Sequence, residues 1–145
     1  MLMSNSNAVI KDSIFATIGD KAIARSDIIN EIKIILILNE TGYSEEIKKQ
    51  LDNSAIASII KRTIKKIEIE KYPNLTFNES DLRGQINQLA ANLNMNLDML
   101  KETFETNGIN FLDIVDQIKT DLLCYLRGLQ DPPCAMFLSR FLDRI

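Results

Sequence analysis

Histidine and tryptophan are absent from this sequence of 145 residues, which holds only two cysteines, three prolines and five glycines. The lack of histidine removes the usual general base and the commonest metal ligand. Two cysteines are too few for a structural zinc site, which takes about four ligands. So few prolines and glycines argue against a loop-rich or disordered chain. These absences favour a regularly folded protein without a metal site.

The charge balance and the short hydrophobic runs exclude two further classes. The formal net charge is −3 and the sequence pI is about 5.0, so there is no general attraction to nucleic acid or to an anionic membrane. No apolar run approaches the roughly 18 residues of a membrane span, so no membrane insertion is expected. Residues 1–13 lack the basic and apolar segments of a signal peptide, which by itself predicts a cytosolic protein.

No pattern of catalytic residues stands out. The sequence has no glycine-rich phosphate loop, no nucleophile elbow and no cluster of metal ligands. Its carboxylates are spread along positions predicted to face solvent, often beside lysine. We therefore expect neither an enzyme nor a cofactor. A hydrophobic content of 46% with only 6% aromatic residues predicts an aliphatic core.

A β-hairpin is predicted near the start of the chain. Residues 1–13 lack periodicity and are expected to form a loose tail. Apolar residues then alternate from Ile14 to Ile18, the segment Gly19-Asp20-Lys21 predicts a turn, and residues 22–24 predict the returning strand. Because a lone hairpin is marginally stable in water, helices or further strands should cover it.

The first predicted helix is apolar on two sides. It begins after Ser26, a residue suited to N-capping, and runs to about Asn39. The predicted core face consists of Ile28, Ile29, Ile32, Ile35 and Leu36. A second strip on the opposite side consists of Ile34, Ile37 and Leu38. Two interpretations of that strip stay open: it is covered within the chain, or it is presented to a ligand.

The second predicted helix has an isoleucine face and a basic face. The run Asp52-Asn53-Ser54 is predicted to cap it, and Tyr72-Pro73 to stop it. The residues expected inside are Ile56, Ile59, Ile60, Ile64 and Ile67. Those expected outside are Lys61, Arg62, Lys65 and Lys66. A nucleic-acid patch and a solvated face are both open for the basic side, and the absence of interleaved aromatic residues favours the solvated face.

Three short helices are predicted between Asn78 and Leu126. Asn78, Asn96 and Asn110 each precede a helical segment, where an asparagine oxygen can accept a bond from a helix N–H. The segment Asn107-Gly108 supplies a stop signal. Apolar residues recur at helical spacing in all three segments: Leu82, Ile86, Leu89, Leu93, Leu97, Leu100, Phe104, Phe111, Ile114, Val115, Ile118, Leu122, Tyr125 and Leu126. The whole pattern predicts a mainly α fold, a five-helix bundle with a small N-terminal β-hairpin.

Three features leave alternatives open. Met95 and Met99 are adaptable side chains that suit either a core gap or a binding surface. Cys124 lies among apolar neighbours and is expected to be a buried, inert thiol, although a disulfide with Cys134 is possible if the tail folds back. The divergent tail 128–145 contains a short amphipathic helix that needs a docking partner. Its stripe consists of Leu138, Phe141, Leu142 and Ile145.

The order of these elements resembles the N-terminal domain of SurA-type periplasmic chaperones. The resemblance covers roughly residues 14–126 and rests on the hairpin IFATIGDKAIARSD, the two isoleucine-rich helices and the segment NESDLRGQINQLAANLNMNLDMLKETFETNGINFLDIVDQIKTDLL. Its most diagnostic part is the helix start Asn94-Met95-Asn96-Leu97, followed by Gly108 and Phe111. The resemblance implies a single SurA N-terminal-like domain over residues 14–127 and a periplasmic location.

The resemblance also implies a function. Such a module cradles extended, apolar segments of unfolded outer-membrane proteins without ATP. Prolyl isomerisation in that family belongs to separate parvulin domains, which typically carry histidine, so no isomerase activity is expected here. We place the peptide-binding groove between helix 1 and the bundle of helices 3 to 5. The residues expected to line it are Ile34, Ile37, Leu38, Met95 and Met99.

Two other functions remain open at this point. The first is a structural or dimerisation module, in which the hairpin or the C-terminal tail exchanges with a second copy. The second, which is less favoured, is a helical nucleic-acid binder with steeply salt-dependent affinity. It would use Lys61, Arg62, Lys65 and Lys66. A further hypothesis concerns the tail, which is expected to dock on the strip of Ile34, Ile37 and Leu38.

Overall fold

The computed structural model describes residues 12–127, which form two strands and five helices. The strands are β1 (Ile14–Ile18) and β2 (Lys21–Ala24). The helices are α1 (Arg25–Leu38), α2 (Lys48–Glu70), α3 (Glu79–Asn92), α4 (Leu97–Thr106) and α5 (Phe111–Leu126). The predicted mainly helical fold with a small hairpin is therefore confirmed. The predicted tail helix within residues 128–145 and most of the predicted N-terminal tail lie outside the described residues.

The hairpin pairs antiparallel, with Ile18 opposite Lys21. The turn consists of Gly19 and Asp20 alone, so Lys21 belongs to β2 and not to the turn as predicted. Gly19 has a φ of 59°, a conformation that glycine adopts without the penalty of a side chain. α2 contacts the turn of the hairpin, because a Cβ at Gly19 would lie 3.7 Å from Cδ1 of Ile67. Ile14 and Phe15 of β1 stay exposed, so the hairpin is covered only in part.

The asparagine caps of the last three helices form as predicted. The side-chain oxygens of Asn78, Asn96 and Asn110 accept backbone N–H groups from the first turns of α3, α4 and α5 at 2.9, 2.8 and 3.0 Å. Gly108, with a φ of 76°, follows the end of α4. Each cap satisfies an N–H that a helix otherwise leaves unpaired, so a single residue fixes each start.

The start of α1 differs from the prediction by two residues and in the side chain that stabilises it. The N-cap is Ala24, which has no side-chain acceptor. Asp27 stabilises the start instead, because its Oδ2 accepts the Ala24 N–H at 2.7 Å. Ser26, the predicted cap, donates its hydroxyl to Asp12.

The start of α2 was predicted several residues too late. The helix begins at Lys48 and its N-cap is Ile47, which offers no side-chain acceptor. The polar run Asp52-Asn53-Ser54 therefore lies inside the helix. The helix ends at Glu70, shortly before Pro73, as predicted.

One apolar core joins α1, α3, α4, α5 and the loops between them. Its buried members are Ile34, Leu38, Leu82, Leu89, Ala90, Leu93, Leu100, Phe104, Ile109, Phe111, Ile114, Ile118 and Leu122. The rings of Phe104 and Phe111 have centroids 6.2 Å apart and are tilted by 35°. Among the described residues, α2 contributes none to this core. Its buried apolar residues, Leu51, Ala55 and Ile59, lie outside it.

Candidate functional site

The five residues predicted to bind peptide do not line one open groove. Ile34 and Leu38 are buried in the core, with only 3% and 7% of their surfaces exposed. Ile37 and Met95 are partly buried and pack against the same core. Met99 alone of the five is exposed, in the first turn of α4. The strip of Ile34, Ile37 and Leu38 is therefore packed within this chain, which is the first of its two interpretations.

The opposite side of α1 is the side that stays partly accessible to solvent. We define the outward face of α1 as Ile28, Ile29, Ile32, Ile35 and Leu36. Ile29 is 55% exposed, and the other four are partly exposed. The sequence predicted this face to be the core face, so the orientation of α1 is corrected by about a third of a turn of the helix.

A buried carboxylate explains the orientation of α1. Glu31 lies on the same side of the helix as Ile34 and Leu38 and is almost fully buried. Its Oε1 accepts the Ser58 hydroxyl at 2.5 Å, and its Oε2 pairs with the Arg62 guanidinium. A buried carboxylate is costly unless donors surround it, and both donors belong to α2. The face that carries Glu31 therefore turns inward.

The isoleucine face of α2 is only partly covered by the rest of the protein. We define the outward face of α2 as Ile56, Ile60 and Ile64. Ile60 and Ile64 are exposed, Ile64 to 42%, and Ile56 is partly exposed, while Ile67 on the same side of the helix lies against the hairpin turn at Gly19. Of the five isoleucines predicted to be inside, Ile59 is the buried one. The orientation predicted for α2 is therefore wrong.

The basic side of α2 faces inward and forms ion pairs. Lys65 is buried and bonds Oδ1 of Asp121 in α5 at 2.5 Å. Lys66 bonds Oδ2 of Asp116 in α5, also at 2.5 Å. With the Arg62 and Glu31 pair, these contacts make a layer between α2 and its neighbours, which we call the charged layer. Of the four basic residues predicted to face outward, Lys61 is exposed, so they do not form one solvent-facing basic patch.

The charged layer continues to the ends of α2 and α5. Arg127 bonds the Glu68 carboxylate and the Tyr72 hydroxyl, and its guanidinium lies 3.6 Å from the centroid of the Tyr72 ring. Hydrogen bonds from Lys71 and then from Arg127 hold the pKa of Glu68 below its ordinary value. The ionised form of Glu68 is therefore the one that the fold favours.

The hairpin is joined to the same end of α2 by another ion pair. Lys21 donates to Oε1 of Glu70 at 2.8 Å. This bond raises the pKa of Lys21 above its ordinary value. Both side chains are substantially exposed, so the pair positions the hairpin more than it stabilises the fold.

A cleft of about 300 Å³ opens between β2, α1, α2 and α5. Its apolar lining residues are Ala22, Ile23, Ile34, Ile59 and Ile109. Its charged lining residues are Asp27, Glu31, Arg62, Lys66, Asp113 and Asp116. None of the exposed residues of the outward faces lines this cleft. The structure therefore offers two distinct candidate sites, a polar cleft and the outward faces of α1 and α2.

Gln117 gives the cleft an unusual feature. The residue lines the cleft, is 7% exposed, and its Oε1 accepts no hydrogen bond. Among all described side chains, this is the buried polar atom without a partner. Most buried polar atoms in proteins are hydrogen-bonded, so an exception requires an explanation.

The described residues 12–127 contain no grouping of three or more acidic, cysteine or histidine side chains that could bind a metal ion. In the same residues, no helix has the length and apolar character needed to cross a membrane. Cys124 is fully buried, as predicted, but it is disulfide-bonded and so is not a free thiol. Cys134, its predicted partner, lies outside the described residues.

No protein-family model, no curated protein and no solved structure matches this sequence. What the protein does is therefore inferred from its own side chains and from the resemblance to SurA-type domains.

Proposed function

We propose that this protein is an ATP-independent chaperone module of the SurA N-terminal type, which binds unfolded, apolar stretches of polypeptide such as those of outer-membrane proteins. By the same resemblance we propose that it works in the periplasm. One observation carries the proposal: α1 and α2 bury polar groups and leave isoleucine outside. Ile29 and Ile64 are more exposed than apolar side chains of a helix usually are, and each belongs to a row of apolar neighbours.

The outward faces suit a client without a fixed sequence. Aliphatic side chains attract apolar surface without directional bonds, so they hold many sequences with similar strength. Each isoleucine that a client covers contributes about 1.5–3 kcal/mol at most. Several moderate contacts of this kind give binding that needs no nucleotide and no catalytic group. The proposed site therefore moves from the groove near Met95 and Ile37 to the outward faces.

A second copy of this chain is the competing occupant of the same faces. An amphipathic helix that exposes an apolar row can pair with an identical row across a two-fold axis. Light scattering over a range of concentrations separates the two cases. A monomer at concentrations where client binding is saturated supports the chaperone proposal, and a tight dimer without client binding supports a dimerisation module.

The test is suppression of aggregation of a denatured outer-membrane β-barrel protein. The variant carries Ile29→Ser and Ile64→Ser, and the control carries Leu112→Ser, which alters an exposed apolar residue of α5 away from both faces. We expect the wild type and the control to suppress aggregation, and the double variant to bind client about tenfold more weakly or worse. Unchanged Tm in the double variant would exclude unfolding as the cause. Equal suppression by all three proteins would overturn the proposed site.

A further inference from the structure

The polar cleft carries an excess of negative charge. Four carboxylates line it, from Asp27, Glu31, Asp113 and Asp116, against two cations, Arg62 and Lys66, which leaves a net charge of −2 on the lining. A cleft lined by one sign of charge concentrates ions of the opposite sign. An anion is therefore disfavoured here, and a cation is favoured.

The carboxylates differ in what they already bind. The Asp27 carboxylate accepts the Ala24 N–H, and Asp116 is paired with Lys66 at 2.5 Å. The Asp113 carboxylate has no hydrogen-bond or ion-pair partner among the described residues, and it is exposed at the edge of the cleft. Asp113 is thus the group most available to a positively charged ligand.

Gln117 is an independent indication of a ligand. Its buried Oε1 is an acceptor without a donor, which costs the folded protein about 1–3 kcal/mol when nothing fills the gap. A ligand that brings an N–H group to this side of the cleft would remove that cost once the Gln117 side-chain amide turns toward it. The acceptor and the nearby carboxylates require the same kind of group, a positively charged hydrogen-bond donor.

The rest of the lining limits the body of the ligand. Isoleucine side chains from β2, α1, α2 and the loop before α5 form the apolar part of the cleft: Ile23, Ile34, Ile59 and Ile109. A volume of about 300 Å³ is at the small end of ligand sites. It accommodates an aliphatic stem of a few carbons with its charged end, and it is too small for a folded partner.

We propose that this cleft binds an alkylammonium or alkylguanidinium group, with its charged end between Asp113 and Gln117 and its stem against the isoleucines. Such a group occurs on a lysine or arginine side chain of a polypeptide and on a free aliphatic amine. The proposal does not depend on the chaperone function, because it concerns other residues. It therefore stands or falls separately from the aggregation assay.

The test uses three probes in titrations followed by NMR of the Gln117 side-chain amide. They are 1,5-diaminopentane, a capped Ala-Lys-Ala peptide and the matched Ala-norleucine-Ala peptide. We expect saturable shifts with the diamine, the lysine peptide or both, and none with the norleucine peptide. Shifts with the peptide alone assign the site to side chains of a polypeptide, and shifts with the diamine alone assign it to free amines. Either result supports the site.

Two variants test the named groups. Asp113→Asn should weaken binding about two- to fivefold, as expected for one exposed ion pair. Asp81→Asn is the matched control, since Asp81 occupies the same position in the first turn of α3 as Asp113 does in α5. Gln117→Leu, followed through the backbone amide of Asp113 because the side-chain amide is gone, should weaken binding while Tm stays unchanged or rises, since the unpartnered acceptor is removed.

Three results would overturn the proposal. The first is the absence of any shift at Gln117 with either charged probe. The second is an equal response to the norleucine peptide, which would show that the charge is not recognised. The third is an equal loss of binding in the Asp113→Asn and Asp81→Asn variants, which would assign the effect to general electrostatics.

Discussion

The apolar core and the charged layer hold the same chain together in opposite ways. In the core, α3, α4 and α5 bury leucine, isoleucine and phenylalanine and expose their polar sides, as amphipathic helices usually do. In the charged layer, α2 buries Lys65 and pairs Arg62 with Glu31, while Ile60 and Ile64 stay exposed. On α2, therefore, charged and apolar residues are buried side by side while other isoleucines stay exposed.

Burying the charged residues of α2 lowers stability and leaves some of its isoleucines exposed. Two charges lose their hydration when they are buried, and their attraction compensates for this loss only with good geometry. An apolar contact between α2 and α5 would hold the helices together without that cost. The charged layer leaves the isoleucines of α2 outside, where they are available to another polypeptide.

The largest effect is expected in the apolar core. Phe104 is fully buried and its ring lies near that of Phe111, so Phe104→Ala should lower the free energy of unfolding by about 3–5 kcal/mol. Denaturation by urea measures this loss. Leu112→Ala is the control, since Leu112 is highly exposed, and it should change stability by less than about 0.5 kcal/mol. Similar losses of unfolding free energy in the Phe104→Ala and Leu112→Ala variants would contradict the burial of Phe104 in the core.

In the charged layer, one substitution should lower the free energy of unfolding about as much as Phe104→Ala does. A second substitution should restore it. Lys65→Met leaves the Asp121 carboxylate buried without its lysine and should cost about 3–5 kcal/mol. The double variant Lys65→Met with Asp121→Leu should be close to the wild type or more stable, because an apolar contact replaces the pair. At Phe104, no second substitution is expected to restore the free energy of unfolding in this way.

A matched control for Lys65 lies on the same helix. Lys61 is exposed, so Lys61→Met should be nearly neutral. Urea denaturation measures the free energy of unfolding of both variants. Equal changes in Lys61→Met and Lys65→Met would mean that Lys65 is not buried and would contradict the contrast drawn between the charged layer and the core.

A smaller effect, visible in its pH dependence, is expected where the charged layer reaches the end of α2. The pKa of Glu68 is lowered from 4.5 by Lys71 and Arg127, so its carboxylate stabilises the fold above that pH. This contribution disappears as the pH falls through the lowered pKa. Glu68→Gln should therefore reduce stability at neutral pH, and the difference from the wild type should vanish in strong acid.

Unfolding followed by circular dichroism from about pH 7 down to about pH 2 measures this difference across the window. Glu102→Gln, at an exposed position of α4, is the control for the loss of one carboxylate. A constant difference between Glu68→Gln and the wild type over the whole range would contradict the role of the ionised carboxylate.

The sequence predicted the elements built on one unambiguous signal. Asn78, Asn96 and Asn110 marked three helix starts, and the apolar rows of α4 and α5 each had a single possible inner face. The hairpin followed from strict alternation and Gly19. In these segments local preference and packing agree, which is why prediction from local patterns succeeded.

The sequence did not predict the orientation of α1 and α2, because each has two sides that could be buried. The choice was made by partners far away in sequence, such as Asp121 for Lys65. One signal was present: Glu31, Gln117 and Asp121 are polar residues that share the buried sides of isoleucine- and leucine-rich helices. A polar residue on an otherwise apolar helix face can mark a charged contact that faces the interior. The residues of the cleft were not predicted because their polar side chains were expected to face solvent.

The most direct measurement is a map of where an unfolded client touches this protein. An unfolded outer-membrane protein segment carrying a nitroxide label would broaden backbone NMR signals of this protein near the place where it binds. We expect strong broadening around Ile29, Ile60 and Ile64 and little around Leu112. Broadening centred on Leu112, or no selective broadening at a client concentration that saturates binding, would contradict it.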